Sequence, residues 1–123
     1  MTRLLAESYF LLLRCEFLIA SGKTGSLRRI VQAARVNASS LGCSIHAISY
    51  AMDLACIFYP KNVFCLQRSA ATTLLLRRRG IAAELVIGAQ LLPFRSHAWV
   101  ELNGLVINDK PYTHDIYQVL ERW

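Results

Sequence analysis

Gly80 divides this sequence into two parts of different period, and that order confines the fold to the α+β class. Before it, apolar residues recur at helical spacing. After it, short extended runs alternate with turn residues. Residues 4–20 are rich in Leu, Phe and Ile, but Glu7, Arg14 and Glu16 interrupt them. An amphipathic helix is therefore expected rather than a membrane span or a signal-peptide core, with attachment to a membrane surface as the alternative. Residues 21–25 form a small-residue break, after which Ser26 is expected to cap a second helix running to about Val36. Residues 37–42 form another break. Ser44 then caps a third helix that ends near Ile57, ahead of Pro60.

A fourth helix opens at Cys65. It runs through Leu76 to Arg77, Arg78 and Arg79, which complement the negative end of the helix dipole, and Gly80 supplies the C-cap. Beyond it, residues 83–89, 96–102 and 105–108 read as strands, punctuated by Gly88, Pro93 and Asn103-Gly104. The connections are too short for parallel crossovers, so an antiparallel meander is expected.

The 123 residues suffice for one domain that buries about two thirds of its unfolded surface. Residues 1–60 form its helical part, and residues 61–123 hold the fourth helix and the sheet. A hydrophobic fraction of 54% implies a dense core or an apolar face that meets a partner. The net charge of +6 comes from eleven Arg and three Lys against eight acidic residues. Apart from Arg28-Arg29 and Arg77-Arg78-Arg79 these cations are dispersed, and no helix-turn-helix or aromatic-studded sheet motif accompanies them, which argues against nucleic acid and for an acidic peptide or protein partner. Cys15, Cys43, Cys56 and Cys65 have no paired ligand spacing, so neither zinc nor any other cofactor is expected. Cys15 and Cys56 sit in apolar helical stretches as small hydrophobes, a usage that fits a reducing cytoplasm.

Three reactive side chains stand in order in the second part. Cys65 begins a helix, where unpaired N–H groups and the positive dipole end favour a thiolate. His97 lies in one strand and Asp109 ends the next, so a nucleophile, a base and an orienter are all available. Taken singly, each has a plainer reading: a buried cysteine, a satisfied strand histidine, a turn aspartate beside Lys110 and Pro111. Hairpin parity supplies a test. A two-residue Asn103-Gly104 loop would pair Leu102 with Leu105 and carry Asp109 to the face away from His97. A three-residue loop with a bulge pairs Glu101 with Leu105 and sets His97 opposite Asp109, and this second arrangement is expected.

The segment Cys65-Leu66-Gln67-Arg68-Ser69, then Leu75-Leu76-Arg77-Arg78-Arg79-Gly80-Ile81, Leu85-Val86-Ile87-Gly88, and His97-Ala98-Trp99-Val100-Glu101 with Asn108-Asp109, resembles the transglutaminase-like leader peptidases of lasso-peptide biosynthesis. The spacings of thirty-two residues from Cys65 to His97 and twelve from His97 to Asp109 agree with that family. The resemblance spans residues 58–111 and implies a papain-like, transglutaminase-like core in which the nucleophile's helix packs on an antiparallel sheet of three or more strands.

It also implies a task. Such cysteine peptidases cut the leader from a ribosomally made precursor, and an ATP-dependent cyclase then closes the freed core N-terminus onto an acidic side chain. In the split system a separate small protein, the RiPP recognition element, binds the leader. The chain resembles the stand-alone peptidase, since its length leaves no room for a fused recognition domain. On this reading His97 activates Cys65, Asp109 orients His97, and the Cys65 N–H helps hold the oxyanion, with Asn62 a candidate second donor. Arg68 and Ser69 either touch substrate or brace the helix, and Trp99 either walls the site or packs in the core. Glu101 is expected in a surface pair, and His46 and His114 have no assigned role. The resemblance further implies a Thr at the penultimate leader position. Competing functions are a transglutaminase-type acyl transferase and a non-catalytic adaptor that presents the precursor.

Overall fold

A computed structural model describes residues 2–37 and 44–123. Helices α1 (Thr2–Ala20), α2 (Thr24–Ala33), α3 (Ile45–Ile57) and α4 (Cys65–Arg78) precede strands β1 (Glu84–Leu91), β2 (Phe94–Leu102) and β3 (Leu105–Val106); a short α5 (Thr113–Ile116) and strand β4 (Gln118–Arg122) follow. The α+β order and the antiparallel sheet are as expected. The sheet has four strands, in the order β3-β2-β1-β4. The fourth, β4, has no clear alternation in sequence, because most of it is exposed at the sheet edge.

Helix α1 is amphipathic. Leu4, Ser8, Leu11, Leu12 and Cys15 recur at helical spacing and are buried, whereas Phe10, Leu13 and Phe17 face outward. Among the described residues no helix is long and apolar enough to cross a membrane. The second helix begins two residues before Ser26, at Thr24, and its N-cap is Lys23 without a side-chain bond. Ser26 therefore lies inside the first turn and caps nothing. Ser44 does cap α3, accepting from the Ala47 N–H at 3.1 Å. The expected break at residues 37–42 falls largely, and Cys43 wholly, outside the described residues.

Helix α4 is the centre of the molecule, with α1 and α3 on one side and β2 on the other. From Ser69 to Arg77 every residue is buried, so this helix has no solvent stripe, and its polar side chains must find partners inside. Gln67 donates to the Leu12 carbonyl at 3.0 Å, and Ser69 donates to the Ala98 carbonyl at 3.1 Å. Gly80 closes the helix with φ +85°: its N–H reaches the Arg77 carbonyl at 3.2 Å, while Ile81 N–H reaches Leu76 at 2.9 Å, a Schellman cap. Of the three terminal arginines, Arg77 is buried, and Arg79 pairs with Glu7 at 2.9 Å.

Strand β2 separates two environments. Ala98 and Val100 join the helical core, and Trp99 and Glu101 are buried on the opposite face. Gly88, expected as a break, lies within β1 opposite His97. It is there for space: a Cβ would stand 2.7 Å from Cη2 of Trp99 and 2.9 Å from the Gln118 carbonyl.

Candidate active site

Cys65 opens α4 behind Phe64, an N-cap residue in extended conformation that makes no side-chain cap bond. The first-turn N–H groups are thus left without a side-chain partner at that end, next to an exposed thiol. The loop before it is anchored to α1. Glu16 accepts from the Tyr59 hydroxyl and from Lys61 Nζ, the latter at 3.1 Å. Burial pushes the Cys15 thiol up to about 12 against the opposing charge of Arg14, and it also raises Cys56. Among the described cysteines, Cys65 alone is exposed.

His97 and Asp109 meet directly, Nε2 to Oδ2, at 2.5 Å. The contact leaves Nδ1 as the ring nitrogen not engaged by the carboxylate. The Lys110 N–H donates to the other oxygen, Oδ1, at 2.8 Å. Burial by itself would raise the Asp109 pKa. The His97 and Lys110 hydrogen bonds outweigh it, with help from the charges of His97 and Arg68, and hold the carboxyl below the ordinary range.

The expected hairpin does not form. Leu102 pairs with Leu105 across a two-residue loop, and Asn103 (φ +52°) and Gly104 (φ +80°) are both left-handed, as a type I′ turn requires. Continued, that register would place Asp109 opposite Ala98 on the wrong face. That register reaches Asp109 only if the strand does, but β3 ends at Val106 and residues 107–109 bend. The bulge lies elsewhere, where Ile87 pairs with Glu121 and Gly88 with Val119, leaving Leu120 as the extra residue of β4.

Cys65 and Ser69 are one turn apart on the same face of α4, and Ser69 is bonded to Ala98, the neighbour of His97. The helix of Cys65 is thereby tied to β2 at the residue next to His97. Among the described residues no hydrogen bond joins Cys65 to His97. Catalytic bonds of this kind commonly tighten only with substrate bound.

The remaining candidates divide. Ser69 is fully enclosed and braces the helix rather than facing a substrate. Trp99 is also fully enclosed: its ring stacks under His97 with centroids 6.0 Å apart and an interplanar angle of 27°, so it floors the imidazole. Arg68 pairs with Asp53 of α3 and borders two cavities, one of about 290 Å³ shared with Asn108 and Asp109, and one of about 550 Å³ shared with Asn62 and Lys61. Asn62 is exposed in the loop before Cys65. Glu101 is not a surface residue: it is 2% exposed, accepts from Trp99 Nε1 at 2.8 Å and from Arg122 at 3.0 Å.

Tyr117, whose ring centroid lies 5.2 Å from that of His97, carries no sequence signal, because it sits between a short helix and an edge strand without periodicity. Replacing Gly88 by Ala is expected to lower stability by about 1–3 kcal/mol through overpacking. It should also displace the Trp99 indole, which a fall in urea midpoint together with an altered tryptophan emission would report.

A family model described as transglutaminase-like superfamily matches residues 10–122. The Microcin J25-processing protein McjB of Escherichia coli is 41% identical over 78 residues, a stretch that covers 61% of this chain and 38% of that protein. The chain thus matches about two fifths of the length of this relative. No solved structure matches. The family match takes in the Cys65 helix, the His97 strand and the Asp109 bend together, and the chain belongs to the transglutaminase-like superfamily.

Proposed function

We propose that the chain is a cysteine peptidase that removes the leader from a ribosomally made lasso-peptide precursor, freeing the core N-terminus for ring closure. The observation that carries this reading is the 2.5 Å His97–Asp109 pair; a helix start without a side-chain cap, bearing an exposed thiol, supplies the nucleophile. The likeness to a microcin-processing protein supports the choice of substrate.

In this mechanism Asp109 binds Nε2–H, so that the free Nδ1 of His97 takes the Cys65 proton. The thiolate attacks the last leader carbonyl, and the oxyanion is met by N–H groups at the start of α4, with Asn62 as a further candidate donor. His97 then protonates the departing core amine. Water, activated by the same imidazole, hydrolyses the thioester and releases the leader. No step calls for a cofactor. Arg68 and Asn62, which border the 550 Å³ cavity, are the substrate contacts that remain. The partners that accompany this role are the precursor leader, a separate leader-recognition protein and the ATP-dependent cyclase, in the cytoplasm.

The test incubates the purified chain with a lasso-peptide precursor, with and without the leader-recognition protein, and resolves leader and core by mass spectrometry. Wild type should release both, and Cys65→Ala should release neither. Equal cleavage by Cys65→Ala rejects thiol catalysis. A crosslinked product in place of free leader makes the chain an acyl transferase.

A further inference from the structure

We infer that Asn108 is a positioning residue that assembles the site, both by breaking the strand register so that Asp109 reaches His97 and by tying the Cys65 helix to the His97 strand. The inference rests on the peptidase reading for its kinetic consequences but not for its geometry. After the Asn103-Gly104 turn the ladder starts normally: Leu102 pairs with Leu105, Glu101 pairs with Val106, and Ile107 N–H donates to the Val100 carbonyl at 2.9 Å. A regular strand would return the next bond from the Val100 N–H to the Ile107 carbonyl. That bond is replaced. The Asn108 side-chain Oδ1 accepts from Val100 N at 2.7 Å.

A side-chain amide has taken the place of a backbone carbonyl, as Asn does where it competes with regular structure. The main chain at residues 108–109 is released from the ladder, and Asp109 is freed from a register that would have turned it away from His97. The other end of the same amide works in the opposite direction across the site. Asn108 Nδ2 donates to Ser69 Oγ at 3.1 Å, and the Ser69 hydroxyl in turn donates to the Ala98 carbonyl at 3.1 Å. One side chain therefore bonds the strand of His97, the helix of Cys65 one turn from the thiol, and the backbone step before Asp109. The helix is far in sequence from the other two, and a displacement of about 1 Å at a reacting centre can cost on the order of a hundredfold in rate.

Two readouts separate this role from simple stabilisation. The first is the rate at which iodoacetamide alkylates Cys65, followed by peptide mapping across pH 5–9; it needs no substrate. The second is precursor cleavage, resolved into kcat and KM. Asn108→Ala is expected to lower kcat about a hundredfold with KM within about threefold. It should change the rate of Cys65 alkylation about tenfold, because the tie that holds the start of α4 to the His97 strand is cut. Asn108→Asp keeps an acceptor for the Val100 N–H and should recover at least about tenfold of the lost kcat. Ser69→Ala cuts only the helix link and serves as the second variant should Asn108→Ala fold poorly; it should lower kcat and change the alkylation rate with the Asp109 contact intact.

If Asn108→Ala and Ser69→Ala, both folded, leave kcat and the alkylation profile unchanged, the positioning role is wrong even though the peptidase reading stands. If no precursor is cleaved but Cys65 alkylation still depends on Asn108, the peptidase reading is wrong and the positioning role stands.

Discussion

Asp109→Ala is expected to lower kcat/KM by about 10³- to 10⁴-fold, the range associated with losing the orienter of a catalytic triad. The physical reason lies in the 2.5 Å bond to Nε2 of His97, which orients the ring and leaves Nδ1 free of the carboxylate. Asp109→Asn is the informative companion. The carboxylate serves two donors with two oxygens, His97 at Oδ2 and the Lys110 N–H at Oδ1. An amide has one acceptor oxygen, so it holds His97 only by giving up Lys110. Since Cys-His-Asn sites also work, Asn should retain all but about 10- to 100-fold of the activity. The acid dependence has a defined sign. The Asp109 pKa is lowered on folding, so the stability its pairing contributes is complete above the ordinary carboxylate value of about 3.9 and is lost as pH falls through the lower folded value. Urea midpoints of wild type and Asp109→Ala should therefore converge only below about pH 4. Convergence already at pH 6 would mean that the carboxylate is not held in its charged form.

Arg77→Met should be the most damaging substitution away from the site. Arg77 is buried at the end of α4 and donates to four carbonyls: Ala83 at 3.0 Å, Trp123 at 2.9 Å, Ala34 at 3.4 Å, and Val31. It fastens the end of α2, the entry to β1 and the C-terminal residue to one helix. Burial lowers its pKa, with Glu84 opposing, so the charge is retained at a cost that only these bonds offset. Met fills similar volume and leaves buried carbonyls without donors, at about 1–3 kcal/mol for each that water cannot reach. A total of roughly 4 kcal/mol is expected. Against a typical 5–15 kcal/mol this should lower Tm by more than about 10 °C. Arg77→Lys keeps the charge but lacks the planar fork, and should recover less than half of the loss. A Tm for Arg77→Met within about 3 °C of wild type would show that water replaces these bonds.

Local chemistry made much of this molecule legible. The helix starting at Cys65 and ending at Gly80 was readable because both ends carry their own signals, a break after Pro60 and an arginine-rich turn closed by glycine. The buried stripe of α1 and the Ser44 cap were readable for the same reason, since their causes lie within a few residues of their effects. Where partners are distant in sequence, reading failed. Arg77 resembled its neighbours Arg78 and Arg79 in a helix-end cluster, yet burial made it a clamp. Glu101 looked like a solvent-facing strand residue, yet Arg122 on the unread strand β4 and the indole of Trp99 enclose it.

The same division runs through the site. Sequence alone determined which groups are chemically available, because a thiol at a helix start, a strand imidazole and a carboxylate are properties of residue type and local backbone. The meeting of His97 and Asp109 was decided by the tertiary structure. Period-2 alternation settles which face a side chain takes only while a strand lasts, and β3 ends after two residues. From there the path to Asp109 depends on the Asn108 bonds to Val100 and Ser69, residues 8 and 39 positions away. The second of these exists only once helix and sheet have packed.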